Sequence, residues 1–242
     1  MSIEENTESS PVNRTLSSLE LSSAFAMVSH DIKNSLGVLL RDINMITGSC
    51  EFTGCGMRNE CADMEYEVRR INNNIVKMLT LFKVEQGDYM LNVDAHSVFD
   101  FLNEVMIEHS LIMREKKVTY EIDCPKSLYW YFDRNLMTGV MSNAISNALR
   151  YTKDRIRISA DSGNKGLRLA IEDNGQGYTK LMLEQQAAIK RPESGFLNNN
   201  TGLGIYFTKL VLDLHQHDDI YGKVAMQNGG ELGGGQLFMT LP

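Results

Sequence analysis

Gly166-Leu167-Arg168-Leu169-Ala170-Ile171-Glu172 leads directly into Asp173-Asn174-Gly175-Gln176-Gly177, and the fold turns on this stretch. The first seven residues read as a β-strand. The strand then delivers a carboxylate and two glycines into a loop. Just upstream, Arg155 to Ala160 reads as a second strand, and Asp161 to Gly166 as the turn joining the two into a hairpin. Asp173 can accept a hydrogen bond from an exocyclic amine such as that of adenine. Gly175 and Gly177 let a ligand approach the backbone closely. Asp-Asn-Gly is also an ordinary turn sequence, so the stretch gains meaning only from its neighbours.

Working outward, Val98 to Met113 reads as an amphipathic helix, and Val118 to Ile122 and Leu128 to Phe132 as strands. Asp133 caps a helix running to about Arg150. Gly202 to about His215 reads as a further helix, and Lys223 to Asn228 and Gln236 to Leu241 close the pattern around a Gly-rich turn. The expectation is an α+β sandwich with helices on one face of a mixed sheet. In the Asp133–Arg150 helix, Val140, Met141, Ala144, Ile145 and Ala148 form the apolar face, and Asn143 and Asn147 sit at i, i+4 elsewhere. Asparagine is a poor mid-helix residue. Neutral carboxamide oxygens suit a Mg²⁺ that also holds phosphates and water, although a plain polar face is the simpler alternative. Arg150 and Tyr151, at the helix end, are placed to meet phosphate and stack on a base. Asn200-Thr201-Gly202-Leu203-Gly204 opens the next helix, where free backbone amides suit phosphate; such glycines also serve packing and turns.

The N-terminal third reads differently. Leu21, Phe25, Val28, Ile32, Leu36, Leu39, Ile43 and Ile46 form a helical seam with one stutter. After a connection spanning Gly48 to Cys61, Met64, Val68, Ile71, Ile75, Met78 and Phe82 form a second seam. Two seamed helices make an antiparallel hairpin that cannot hide both seams alone. Two copies make a four-helix bundle, so a homodimer is expected. His30 lies two residues from both Val28 and Ile32, about 200° of helical rotation, and so points away from the seam. Asp31 adjoins it, and Asn34 is one turn on. An exposed imidazole beside a carboxylate suits a nucleophile whose proton must leave.

Composition bounds the rest. The chain has 242 residues, 43% of them hydrophobic and 23% charged, with net charge −7. That excludes a disordered or collagen-like chain and argues against nucleic acid as the main partner. No apolar run approaches the ~18 residues of a membrane span, and the acidic start is no secretory signal; the expected location is the cytoplasm. Four cysteines are too few for a disulfide scaffold. Cys50, Cys55 and Cys61 nevertheless share one connection, at spacings unlike common zinc sites. They are either incidental reduced thiols or a redox or metal input.

Four boxes occur in one order: His30-Asp-Ile-Lys-Asn34, Asn143-Ala-Ile-Ser-Asn147-Ala148, Asp173-Asn-Gly-Gln-Gly177 and Thr201-Gly-Leu-Gly204. Together, over about residues 18–242, they resemble a bacterial two-component sensor histidine kinase. The second half resembles the Bergerat-type ATP-binding domain shared by histidine kinases, gyrase-type topoisomerases and heat-shock chaperones. The resemblance implies a flexible segment 1–14, a dimerisation and phosphoacceptor hairpin 15–90, and a catalytic domain 91–242. His30 would take the γ-phosphoryl of ATP, Asp31 would orient the imidazole and act as base, and Asn34 would position water for dephosphorylating a response regulator. Asn147 would bind Mg²⁺, with Asn143 beside it, and Asp173 would read the adenine amine. Gly175, Gly177, Gly202 and Gly204, with Arg150, Tyr151, Thr201 and Leu203, would shape the ATP pocket and its lid, about Tyr178 to Thr201. Ser35 stands where the family usually has proline, and Phe196 alone represents the usual lid phenylalanine box. With about 20 residues before the bundle, the input is expected from a separate sensor partner or from the kinase core. Alternatives are a phosphatase-dominant enzyme using Asn34 and a phosphotransfer or scaffold protein whose nucleotide domain no longer turns over.

Overall fold

Alternating apolar residues and three apolar helix faces account for the architecture of the computed structural model. It describes residues 32, 34–43, 45–46, 58–87, 89–163, 166–185 and 203–242. Helical residues 34–43 (α1) precede α2 (Arg58–Glu85). Then follow β1 (Val93–Ser97), α3 (Val98–Glu108), α4 (Ser110–Glu115), β2 (Thr119–Asp123), β3 (Tyr129–Asp133) and α5 (Arg134–Tyr151). The chain continues through β4 (Arg155–Gly163), β5 (Gly166–Asp173), α6 (Lys180–Gln185), α7 (Leu203–Leu214), β6 (Lys223–Asn228) and β7 (Gly235–Leu241). Five strands form a mixed sheet in the order β2-β4-β5-β7-β6, and β1 and β3 form a separate ribbon. Among the described strands, only β2 and β4 pair in parallel.

On the core side of the sheet, every second residue is apolar: Ile156, Ile158 and Ala160 in β4, Leu167, Leu169 and Ile171 in β5, Leu237, Met239 and Leu241 in β7. The α5 face read from the sequence, with Phe207, Val211 and Leu212 of α7 and Phe101, Leu102, Val105 and Met106 of α3, closes over them. Burying each large apolar side chain contributes roughly 1.5–3 kcal/mol. The expected sandwich, helices on one face of a mixed sheet, is therefore present.

Several local expectations change. Val98 to Met113 is two helices, broken at His109, whose ring Nδ1–H donates to the Val105 carbonyl at 2.9 Å while its backbone N–H turns back to Met106. A side-chain donor on a last-turn carbonyl ends a helix in this way. The turn read as Asp161 to Gly166 is shorter, because the ladder continues to Gly163↔Gly166, braced by the Arg168 guanidinium on Asp161. The strand β1, Val-Asp-Ala-His-Ser, alternates only through Val93 and Ala95 and buries none of its five residues, and its pairing with β3 makes it a strand. The helix α2 starts at Arg58, so Cys61 lies in its first turns and not in the connection. A short helix, α6, occupies part of the expected lid. Leu36 and Ile43 of α1 are buried, whereas Leu39 of α1 and Ile46 beyond it remain 49% exposed.

Candidate functional site

The site begins with the anchoring of α5. Asp133 Oδ1 accepts from the Leu136 N–H at 3.0 Å, and Oδ2 accepts from the Asn92 N–H and the Tyr89 hydroxyl at 3.1 and 3.3 Å. Burial, reinforced by the Asp133 charge, pushes the Tyr89 hydroxyl up to about 12, so it remains a donor. The Asp133 backbone N–H donates to Nε2 of buried His215 at 2.9 Å, and His215 Nδ1–H donates to the Val211 carbonyl at 2.7 Å. One residue thus ties β3, the start of α5 and the end of α7 together. With that start set, the helical period turns Asn143, Asn147, Arg150 and Tyr151 away from the sheet. Asn143 is half-buried and the other three are exposed.

Glycines let α7 lie close against α5. A Cβ on Gly139 would meet the Phe207 ring at 3.3 Å, and one on Gly204 would stand 2.4 Å from Asn143 Oδ1. The glycine box and the asparagine helix therefore meet at Gly204 and Asn143. Asn147 projects one turn further along the same face.

Asp173 is the next odd residue after Leu167, Leu169 and Ile171, so its side chain emerges on the helix side of the sheet. It is 7% exposed. Its Oδ1 accepts from the backbone N–H of Gly175 at 2.7 Å and of Gly235 at 3.4 Å. Its carbonyl accepts from the Gly234 N–H at 3.1 Å. A Cβ on Gly175 would lie 2.0 Å from the Tyr151 carbonyl, one on Gly234 2.3 Å from the Asp173 carbonyl, and one on Gly235 3.0 Å from Asp173 Oδ2. Side chains are thus excluded from the cage around the carboxylate, and the end of α5 is brought onto it. No donor among the described residues takes Oδ2. Burial and the Asp173 charge push the neighbouring Tyr178 hydroxyl up to about 12.

Two asparagines hold this loop, and neither was singled out from the sequence. Asn174 Oδ1 accepts from the Thr152 hydroxyl at 2.9 Å and from the N–H groups of Lys153, Asp154 and Arg155, each at 3.1 Å. Asn228 Oδ1 accepts from the Tyr178 N–H at 2.7 Å and Asn228 Nδ2 donates to the Tyr178 carbonyl at 2.8 Å. Gly177, at φ +75°, packs against that amide. The preference of asparagine for hydrogen-bonding local backbone was the available signal for Asn174. The run Gly233-Gly234-Gly235 before a closing strand was the signal for the far wall of the cage.

Lys77 of α2 was also missed. Its ammonium is buried and donates to Asn143 Oδ1 at 2.7 Å, and burial lowers its pKa to about 8. Asn143 Oδ1 thus already accepts from one cationic donor. Among the described residues no cluster of His, Cys, Asp and Glu suits a metal ion; the oxygen donors on this face of α5 are the carboxamides of Asn143 and Asn147. His30, Asp31, Thr201, Gly202, Phe196, Cys50 and Cys55 lie outside the described residues; Leu203 is placed only as the first residue of α7, and Asn34 is exposed on α1.

Residues 132–241 match the family described as Histidine kinase-, DNA gyrase B-, and HSP90-like ATPase. Sensor protein SrrB of Staphylococcus aureus is 24% identical over 224 residues, covering 88% of this chain and 36% of SrrB. The chain thus spans about a third of the length of the curated relatives it matches. Among solved structures, the catalytic domain of histidine kinase ThkA is similar with TM-score 0.53 and 18% identity, covering 62% of this chain and 97% of that one. Full-length ShkA in complex with AMPPNP is similar with TM-score 0.60 and 18% identity, covering 91% and 46% respectively.

Proposed function

We infer, from a chain that belongs with the two-component sensor histidine kinases through a GHKL-type ATP-binding domain, that it phosphorylates its own His30 with ATP. We further infer that it then passes the phosphoryl group to an aspartate of a response regulator. The observation that carries this reading is the Asp173 cage, in which backbone from two separate glycine segments closes on one carboxylate and leaves Oδ2 open. An exocyclic amine of adenine is the complementary donor, and ShkA, similar in fold, is described in complex with an ATP analogue. Tyr151 and Arg150 at the end of α5 supply a stacking face and a cation.

In this mechanism Asp31 accepts the ring proton of His30 and holds the imidazole in the nucleophilic tautomer. A ring nitrogen of His30 then bonds the γ-phosphorus, the bond to the β–γ bridging oxygen breaks, and ADP leaves with that electron pair. Gly204 and the amides at the start of α7 would bind phosphate oxygens, and Asn147, with Asn143 beside it, would hold Mg²⁺. The metal, when bound, neutralises charge on the phosphates. The division proposed from the sequence, a hairpin over 15–90 and a catalytic domain over 91–242, is compatible with the described elements, since 90/91 lies between α2 and β1. The half-exposed Leu39 and Ile46, with exposed Met64 and Ile71 on α2, supply the surface of a homodimeric four-helix bundle.

A second activity is supported by exposed Asn34 on α1: dephosphorylation of the regulator by positioning water. Incubation with γ-labelled ATP tests the main reading. Label stable to base and lost in acid is expected on the native chain and absent from His30→Ala, with nucleotide binding retained. Label remaining on His30→Ala would refute it.

A further inference from the structure

Lys77 and Asn143 are 66 residues apart in the chain, and their hydrogen bond ties the helical hairpin to the ATP-binding domain. The bond is unusual for a seam. Lys77 is 6% exposed, yet no carboxylate of a described residue pairs with it; its acceptor is a neutral amide oxygen. Burying an ammonium without a counter-ion costs more than one neutral acceptor returns. An apolar side chain would hold the same seam at lower cost, so holding the seam does not explain the lysine. Beside it lies a cavity of about 150 Å³, lined by Asn73, Val76, Thr80, Tyr89, Leu136 and Phe207 among others. The amine therefore has room to leave its present position.

Asn143 is also the residue against which Gly204 packs, and it lies one helical turn from Asn147. On the nucleotide reading above, on which this inference rests, that is where a metal-bound triphosphate sits. Two cations sharing one carboxamide oxygen stand at about 4 Å, where like charges repel. Lys77 and a magnesium nucleotide therefore compete for the same place. We propose that Lys77 is a latch: it occupies Asn143 in the nucleotide-free protein and is displaced by magnesium nucleotide, so that nucleotide binding and loosening of α2 from the ATP-binding domain are one event. The hairpin would then be released for the reaction only when the nucleotide is in place. Lys77 acts through Asn143 and is a positioning residue.

Two measurements on the full chain test this. The first is acetic anhydride labelling of lysines, read by mass spectrometry, with and without a saturating magnesium complex of a non-hydrolysable ATP analogue. Lys77 is expected to be protected in the free protein and labelled at least several-fold faster in the complex. The second is calorimetric affinity for the same complex in the native chain and in Lys77→Met, which keeps the apolar stem and removes the cation. Losing a charged donor that competes for Asn143 is expected to tighten binding about tenfold. Binding with Lys77 still protected overturns the latch and leaves the nucleotide reading standing. Weaker or equal binding by Lys77→Met also overturns it, weaker binding being the mark of a lysine that contacts phosphate. Absence of nucleotide binding in both proteins overturns the functional reading and the latch with it. The labelling experiment needs no variant and decides the question even if Lys77→Met does not fold.

Discussion

Asn174→Ala removes one small amide and should loosen the whole loop that presents Asp173. Four donors converge on Asn174 Oδ1: the Thr152 hydroxyl and three successive backbone N–H groups from Lys153 to Arg155. Asn174 Nδ2 donates to Asp154 Oδ1 at 2.7 Å. An oxygen has two lone pairs, so four donors share it and each contributes at the low end of the usual range, about 0.5 kcal/mol. The bond to the Asp154 carboxylate adds about 1 kcal/mol. Water replaces part of this, because Lys153, Asp154 and Arg155 are exposed, so the net loss should be about 2 kcal/mol. Urea denaturation measures it as a lower midpoint at unchanged slope. Asn174→Asp should cost less, about 1 kcal/mol, since it keeps the acceptor but sets a second carboxylate against Asp154. That loss should grow at low salt. Adding Asp154→Asn to Asn174→Asp restores a donor–acceptor pair with the roles exchanged and should recover most of it. ATP affinity should fall with Asn174→Ala, because Asp173 is the adjoining residue. Stability within 0.5 kcal/mol of the native chain, with unchanged ATP binding, would refute the idea that this amide holds the site.

Gly175→Ala and Gly204→Ala should differ in kind. The first drives a methyl to 2.0 Å from a backbone carbonyl that cannot move away, and should destabilise the fold by more than about 2 kcal/mol in denaturant titration; the second pushes aside the Asn143 carboxamide on which the buried Lys77 ammonium rests, and should cost less, about 1 kcal/mol, while weakening calorimetric ATP binding. Asp173→Asn puts an amide donor where only acceptors are wanted and should weaken ATP binding by about 1–3 kcal/mol; equal affinity would count against the adenine reading. Burial lowers the pKa of His215, whose Nε2 must stay unprotonated to accept from Asp133. A depressed value in the fold means that its contribution is complete above the ordinary 6.5 and is lost as pH falls through the lower folded value, so urea midpoints should drop from pH 7.5 to 5.5 in the native chain and less in His215→Gln. Asn34→Ala should keep autophosphorylation and lose regulator dephosphorylation, while Asp31→Asn should do the reverse; parallel losses in a label-transfer assay would mean that the two residues are not separable.

The parts legible in advance were those written in short-range periodicity. The run Gly166 to Glu172 read as a strand that delivers Asp173 into a loop, and its two-residue alternation of Leu167, Leu169 and Ile171 is the core face of β5. The helical spacing of Val140, Met141, Ala144, Ile145 and Ala148 forecast which face of α5 is buried, and so which face carries Asn143 and Asn147. The side-chain direction of a strand or helix follows from backbone geometry, which neighbouring residues set. The apolar pattern therefore determined the sandwich and the order of its boxes before any packing was known. Tertiary structure decided what depends on residues distant in the chain. Val93–Ser97 became a strand only through pairing with Tyr129–Asp133, and the wall of Gly234 and Gly235 closed on Asp173 only because β7 lies beside β5. Lys77 looks like any polar residue near the end of a seamed helix until α2 lies against α5 and its ammonium loses water to the Asn143 carboxamide. No local pattern encodes that meeting, because burial of a charge is a property of the surfaces that close over it.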